Sequence, residues 1–399
     1  MNFEKEYVAC RNEKFYFCIA MPNNELLSAF KPVTKAEWLQ QIAKDVRDTP
    51  LEVFDWNIDG DLSLSPFVHA EDFSTPPQPL WETRKGWEIV ELIEVKDSIS
   101  ANAQAIEALE GGAEGIQWLY ETAPDLSVLE QSLEAIHLDY IGLHFDGPGI
   151  RQNPAGVFGL LWALSKKRNV PAKLLHGSVA YNPVITGAPI VDWRYLIDLL
   201  AFTQDTFGAF HLVSVDFSSK EDTAVALADT LRTANTYLEK MAARGVSPEQ
   251  AAGSLQFLVP IGKSYFLEIA KIRALKLLWL QVLKAWNAPL TYPTVAVNFK
   301  SESYTNDLYT NMVRSTTMAM SAVLGGADRL SVLPYDTGRD ALATYPASFG
   351  RRIARNVQHL LKMESGFGEI SDPAAGSYYL EKLTTMLAEK AWSEFNGTT

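Results

Sequence analysis

Along the chain, apolar runs of strand length alternate with longer segments whose apolar positions fall three or four apart. From Trp87 onward there are eight such runs: "WEIVELIEV", "GIQWLYE", "YIGLHFDG", "AKLLHGSVAY", "AFHLVSVDF", "LQFLVPIG", "TVAVNFK" and "RLSVLP". Helical segments separate them, from "SISANAQAIEALEGG" to "DLYTNMVRSTTMAMSAVLGG", and an eighth follows in "SFGRRIARNVQHLLKMESG". Eight β/α units over about 280 residues have the number and length of a closed barrel. The expected fold class is α/β, a (β/α)8 TIM barrel preceded by an N-terminal arm. An open, doubly wound sheet has the same alternation, so the pattern alone does not demonstrate closure.

The period of two sorts the faces of each strand. Ile141, Leu143 and Phe145, then Val213, Val215 and Phe217, then Val295, Val297 and Phe299 are expected to face the helices. The other parity, facing the axis, carries Gly142, His144 and Asp146, then Ser214 and Asp216, then Ala296, Asn298 and Lys300, with His176 and Ser178 in the fourth strand. Small and polar groups there suggest a lumen that holds a ligand near the C-terminal strand ends, where barrels carry their sites. His144, Asp146, His176, Ser178, Asp216, Asn298 and Lys300 are therefore the candidate ligand contacts, and no residue is assigned to catalysis, cofactor or metal. A competing expectation is a self-satisfied network in which the carboxylates pair with Lys300 and the histidines. A third is a metal-dependent barrel hydrolase, with His144, Asp146, His176 and Asp216 as ligands; the first strand offers it no histidine pair.

In the eighth helix Phe349, Ile353, Val357 and Leu360 share a face, and Arg351, Arg352 and Arg355 read as its solvated side. The flanks complete a three-part organisation: an arm over residues 1–85, the barrel over 86–366, and a turn and helix leading out over 367–399. The arm holds the helical "KAEWLQQIAKDV", the strand-turn pattern "LEVFDWNIDGDLSLSPF" and the proline-rich "STPPQPLW". Within it, "DWNIDG" places Asp55, Asn57, Asp59 and Gly60 as in a calcium loop. Pro66 stands where the bidentate glutamate belongs, so a β-turn is expected instead. Near the other end, "SDPAAGSYYLEKL" reads as a turn launching a helix at Tyr378. There Pro373 disfavours the α conformation at Asp372, Gly376 allows a tight turn, and Ser377 can cap.

A hydrophobic content of 47% suffices for a large core, and a net charge of -13 argues against a nucleic-acid partner. Cys10 and Cys18 alone make neither a zinc cage nor a disulfide framework, and no run of about 18 apolar residues occurs. A cytoplasmic setting without membrane attachment is expected.

Several stretches carry a family resemblance. "NMVRSTTMAMSAVLGGADRLSVLPYD" and "SFGRRIARNVQHLLKMESGFGEISDPAAGSYYLEKL" resemble the barrel domain of the adenosylcobalamin-dependent methylmalonyl-CoA mutases. "FLEIAKIRALKLLW", "KGWEIVELIEV" and "IDGDLSLSPF" resemble further parts of it, and "GGAD" with "SVLPYD" is closer to the small, β-type subunit. The resemblance implies an isomerase that interconverts methylmalonyl-CoA and succinyl-CoA by radical chemistry, with the CoA ester reaching the site along the barrel axis.

The family's catalytic residues do not carry over. Its tyrosine after the first strand is missing from "ELIEVKDS", its Tyr-His pair is missing from "DFSSKEDTAVAL", and "FKSESYTND" lacks its histidine. His211 aligns with that pair only at the start of its strand, so a structural role is expected. None of His69, His137, His144, His176, His211 or His359 sits in the family's cobalt-ligating Asp-x-His-x-x-Gly context. The expectation is the small subunit of a heterodimeric mutase, an isomerase subunit with an incomplete site of its own. It would pair with a large catalytic subunit that holds the adenosylcobalamin, and would take a CoA ester only if its lumen is open. An independently active CoA-ester mutase is the alternative, beside the hydrolase.

Overall fold

The computed structural model describes residues 31–47, 49–81, 86–184, 191–339, 342 and 344–397. Cys10 and Cys18 lie outside the described residues. The chain divides into two compact units, Met1–Val53 and Phe54–Thr399. In the first, helix α1 (Lys35–Asp45) starts with a capping box in which Thr34 and Glu37 satisfy each other's backbone N–H groups.

The second unit contains a hairpin, β1 (Trp56–Asp59) and β2 (Leu62–Leu64), and eight further strands. These are β3 (Glu88–Glu94), β4 (Gly115–Leu119), β5 (Gly142–Asp146), β6 (His176–Tyr181), β7 (Ala209–Asp216), β8 (Leu255–Ile261), β9 (Thr294–Phe299) and β10 (Arg329–Ser331). All eight pair in parallel and in chain order, and β10 pairs with both β9 and β3. That last pairing closes the sheet, so the fold is a (β/α)8 TIM barrel.

The connecting helices are α2 (Ser98–Glu110), α3 (Leu126–Ser132), α4 (Pro148–Gln152), α5 (Pro154–Lys167), α6 (Trp193–Thr206), α7 (Thr223–Ala242), α8 (Pro248–Gly253), α9 (Tyr265–Ala285), α10 (Leu308–Gly325) and α11 (Ala347–His359). Many start where an aspartate follows a strand. Asp97, Asp125, Asp192, Asp222 and Asp307 each accept a backbone N–H from the first turn, a cap worth about 1 kcal/mol. The helix-facing parity is apolar, with Trp118 stacked on Phe145 at 5.6 Å and Phe257 edge-on to Trp279 at 5.3 Å.

Two charge assignments change in the packed molecule. Arg351 and Arg355 are not a solvated face: Arg355 is buried and pairs with Glu91 of β3, and Arg351 donates to Glu107 of α2 at 2.9 Å. The helix-facing parity of β3 thus carries a carboxylate, and α11 must supply its countercharge. Only Arg352 stays exposed, its guanidinium 5.2 Å from the Phe349 ring.

The compact division falls between Val53 and Phe54, and residues 56–81 pack on the barrel. Leu62 and Leu64 join the main core, and "DWNIDG" forms β1 and enters the hairpin turn at Gly60, beside which Asp59 accepts the Thr223 N–H at 2.7 Å. A last helix, α12 (Tyr378–Gly397), lies across α7 and α9. This double cover explains why α9 buries Glu268, Lys271, Arg273 and Lys276.

The turn before α12 supplies the partners. Arg273 is fully buried and pairs with Asp372 and, at 2.9 Å, with Glu381. Asp372 also accepts the Leu80 N–H at 2.7 Å, and Glu381 accepts that of Gly376 at 3.1 Å. Trp81 lies over the Arg273 guanidinium at 5.9 Å. Asp372 adopts φ 38°, outside the extended region favoured before proline, and holds it because its carboxylate is bonded on both sides.

Candidate functional site

The axis side of the barrel carries two polar networks. The one at the C-terminal strand ends is built around Arg151, which α4 projects back over the mouth. Gly147 at φ 102° starts this short helix, and a Cβ on Gly149 would overlap the Thr122 and Ala123 backbone. The sequence "GPG" therefore fixes where the guanidinium sits. Arg151 Nε donates to Asp146 at 2.8 Å, and its two terminal nitrogens reach Asp216 at 2.8 and 3.1 Å. Gln117 and the Gly147 N–H complete the bonding of Asp146, while Asn182 donates to Asp216 and accepts from the Tyr237 hydroxyl. Burial alone would lower the Arg151 pKa; the two carboxylates outweigh it and hold the guanidinium above its ordinary value.

The second network fills the N-terminal half. Glu88 is the first residue of β3 and Arg329 the first of β10. His144 Nε2 lies 3.1 and 3.2 Å from the Glu88 oxygens, and its Nδ1 is 2.9 Å from Ser178 Oγ. Arg329 donates to the same Oγ at 2.9 Å and contacts Nδ1. These bonds join β3, β5, β6 and β10 through the interior, and Glu88 occupies the space that side chains on Gly115 and Gly142 would fill.

Ser178, His144 and Glu88 have the connectivity of a nucleophile, base and orienting carboxylate. Arg329 cancels that chemistry. A guanidinium only donates, so the Nδ1 lone pair a base would use is engaged, and Nε2 carries the proton toward Glu88. Ser178 and His144 are also only 2% and 4% exposed.

Burial, then the Arg329 charge, lower His144 to about 4, and the same two causes lower His211 to about 4. The ordinary value is 6.5, so between about 6.5 and 4 the unfolded chain binds protons that the folded chain refuses. Stability should therefore fall as pH drops through that window. Burial raises the Glu88 pKa, but His144 and Arg329 outweigh it and hold it at about 2, so its contribution is lost from 4.5 downward. Thermal denaturation across this range should show a falling Tm. A flat Tm between about pH 7 and 4.5 would contradict the neutral histidines.

The candidate contacts thus separate. Asp146 and Asp216 share Arg151, while His144 and Ser178 belong to the lower network. His176 is exposed at the start of β6, Asn298 is half-buried in β9, and Lys300 is exposed beyond its end. Asp146 and Asp216 pair with Arg151 rather than with Lys300 or a histidine, while Glu88 pairs with His144. The four-residue metal set is not assembled, and among the described residues no cluster of three or more such side chains could hold a metal. His211 lies in the N-terminal half of β7, its Nδ1 buried without a hydrogen-bond partner.

Glu88, Arg151 and Arg329 are the residues that sequence reasoning missed. Glu88 and Arg329 were legible as charged groups opening a strand on the axis parity. Arg151 gave no signal, because it comes from a loop helix.

The cobalamin fit can be tested on the histidines. His144 is buried in the barrel, His211 is half-buried in the first half of β7, His176 opens β6, His137 stacks on Tyr140 at 5.0 Å, His359 bonds Gly111 O at 3.1 Å, and His69 caps a short turn. None stands at the C-terminal end of a barrel strand, so the residues present do not fit a cobalt ligand there.

Fold and site define an α/β barrel protein whose axis is occupied by its own ion pairs. Residues 125–398 match the family model for methylmalonyl-CoA mutase, and the chain belongs to that family. It is 30% identical to the methylmalonyl-CoA mutase small subunit of Porphyromonas gingivalis over 94% of this chain and 64% of the relative. It is 27% identical to that of Streptomyces virginiae over 93% of this chain and 64% of the relative. With the methylmalonyl-CoA mutase of Rhizobium meliloti it shares 35% identity over 51% of this chain and 29% of the relative. The chain spans 64% of the length of the two small subunits. Among the described residues no helix is long and apolar enough to cross a membrane.

Proposed function

We propose that this chain is the small subunit of a heterodimeric methylmalonyl-CoA mutase and acts as a structural partner of the large subunit. In this reading the large subunit holds adenosylcobalamin and isomerises methylmalonyl-CoA and succinyl-CoA in the cytoplasm, and the chain described here contributes no reacting group. One observation carries it: Arg151 with Asp146 and Asp216, and Arg329 with Glu88, His144 and Ser178, satisfy one another along the axis that a CoA ester would need. Opening that path would break the half-buried Arg151 pairs at the mouth and strand the buried Arg329 charge below them, the latter at a cost of several kcal/mol. The alignments with small subunits over nearly the whole chain support the same reading.

Co-expression with a large mutase subunit, followed by size-exclusion chromatography and turnover assays with adenosylcobalamin, tests it. The two chains should co-elute and turn over, the isolated chain should not, and D216N in this chain should leave turnover of the complex unchanged. Turnover by the isolated chain, or no complex, overturns the reading.

A further inference from the structure

A groove of about 370 Å³ lies on the outer wall, outside both axis networks and built from α5, the loop into β6, and the end of α6. Trp162 of α5 forms one side and is 44% exposed. Val170 and Pro171 are apolar lining, and Lys166 and Lys173 supply two ammonium groups. The groove thus sets an exposed indole beside two cations on a chain of net charge -13.

The distribution of cations here is uneven. Residues 166–173 hold Lys166, Lys167, Arg168 and Lys173. Lys167 is used by Glu130, and Arg168 donates to Ile136 O at 3.0 Å. Lys166 and Lys173 have no carboxylate partner among the described ion pairs, and they are the two that line the groove. Lys166 instead rests with its ammonium 5.9 Å from the Trp162 ring. The Lys166 ammonium covers the face on which a flat ring could stack, and it can swing aside on its flexible stem.

We infer that this groove binds a nucleotide of the adenosine diphosphate type, free or as the nucleotide end of coenzyme A. The base stacks on Trp162, and Lys166 and Lys173 take the phosphate oxygens. The two parts divide the recognition: the indole offers a stacking face for a purine but no site for a phosphate, and the lysine ammonium groups offer charge for a polyanion. The inference does not depend on the partner role proposed above, since the groove belongs to this chain alone.

Calorimetric titration of the full chain with ADP, adenosine, inorganic diphosphate and coenzyme A tests it. ADP should bind saturably, with adenosine and diphosphate each weaker by about tenfold or more. W162L and K166Q/K173Q should each weaken ADP by about tenfold or more with unchanged circular dichroism, since all three side chains are exposed. Coenzyme A binding more tightly than ADP, and losing its affinity in W162L, assigns the site to the coenzyme; the reverse order assigns it to free nucleotide. No saturable ADP heat at about millimolar concentration overturns the inference, as does ADP affinity indifferent to these variants. Diphosphate binding as tightly as ADP overturns the nucleotide assignment.

Discussion

Replacing Arg273 by methionine is expected to destabilise the chain by about 3–5 kcal/mol, the range for removing one member of a buried ion-paired group. The reason lies in what remains. Asp372 and Glu381 keep their negative charges in a site where Arg273 and Asp372 have no exposed side-chain surface. Nothing else described replaces the guanidinium, since the other bonds to these carboxylates are the single backbone N–H groups of Leu80 and Gly376. Urea unfolding of the purified variant checks the value, and a loss below about 1 kcal/mol would mean that water or a neighbouring cation takes over. The triple variant R273M/D372N/E381Q should recover part of the loss, because it removes the stranded charges as well. Limited proteolysis should show residues 71–81 cut first in R273M, since Asp372 is the group that fastens Leu80.

The second large effect is expected inside the barrel. R329M should also cost about 3–5 kcal/mol, because Glu88 then faces a neutral His144 without the Arg329 charge and Ser178 loses a donor. This variant has a signature that general destabilisation lacks. Burial is the first cause of the low His144 pKa and the Arg329 charge is the second, so removing Arg329 should raise the pKa toward 6.5. The loss of stability between pH 6.5 and 4 should then shrink, and the gap between wild type and R329M should narrow in acid. A gap that stays constant over that range would show that Arg329 acts by packing alone.

The strand ladder was legible because alternating apolar runs register directly in a sheet that is buried on both faces. The assignment of Leu143 and Phe145 to the helix side and His144 and Asp146 to the axis follows from the same parity. The solvated reading of Arg351 and Arg355 failed for a different reason. Helical periodicity places a residue on a face, but it does not say that the strand opposite carries Glu91. That residues 56–81 pack on the barrel was also not legible, because it depends on contacts such as Asp372 meeting Leu80 across 292 positions.

The site shows the same division more sharply. His144, Asp146, Ser178 and Asp216 could be named from sequence, since their parity is local. Their partners could not: Arg151 reaches Asp216 across 65 positions and Arg329 reaches Ser178 across 151. Whether polar groups on an axis hold a ligand or one another depends on those long-range meetings.

By itself, the sequence determined the eight β/α units, the caps that start the helices and the family resemblance, all of which rest on neighbours within a few residues or a repeated period. Tertiary structure alone decided that the sheet closes through β10, that "SDPAAGS" is the clamp on Arg273, and that the axis is filled by its own charges. Closure and charge pairing depend on distances between groups remote in the chain, and those distances exist only once the barrel has formed.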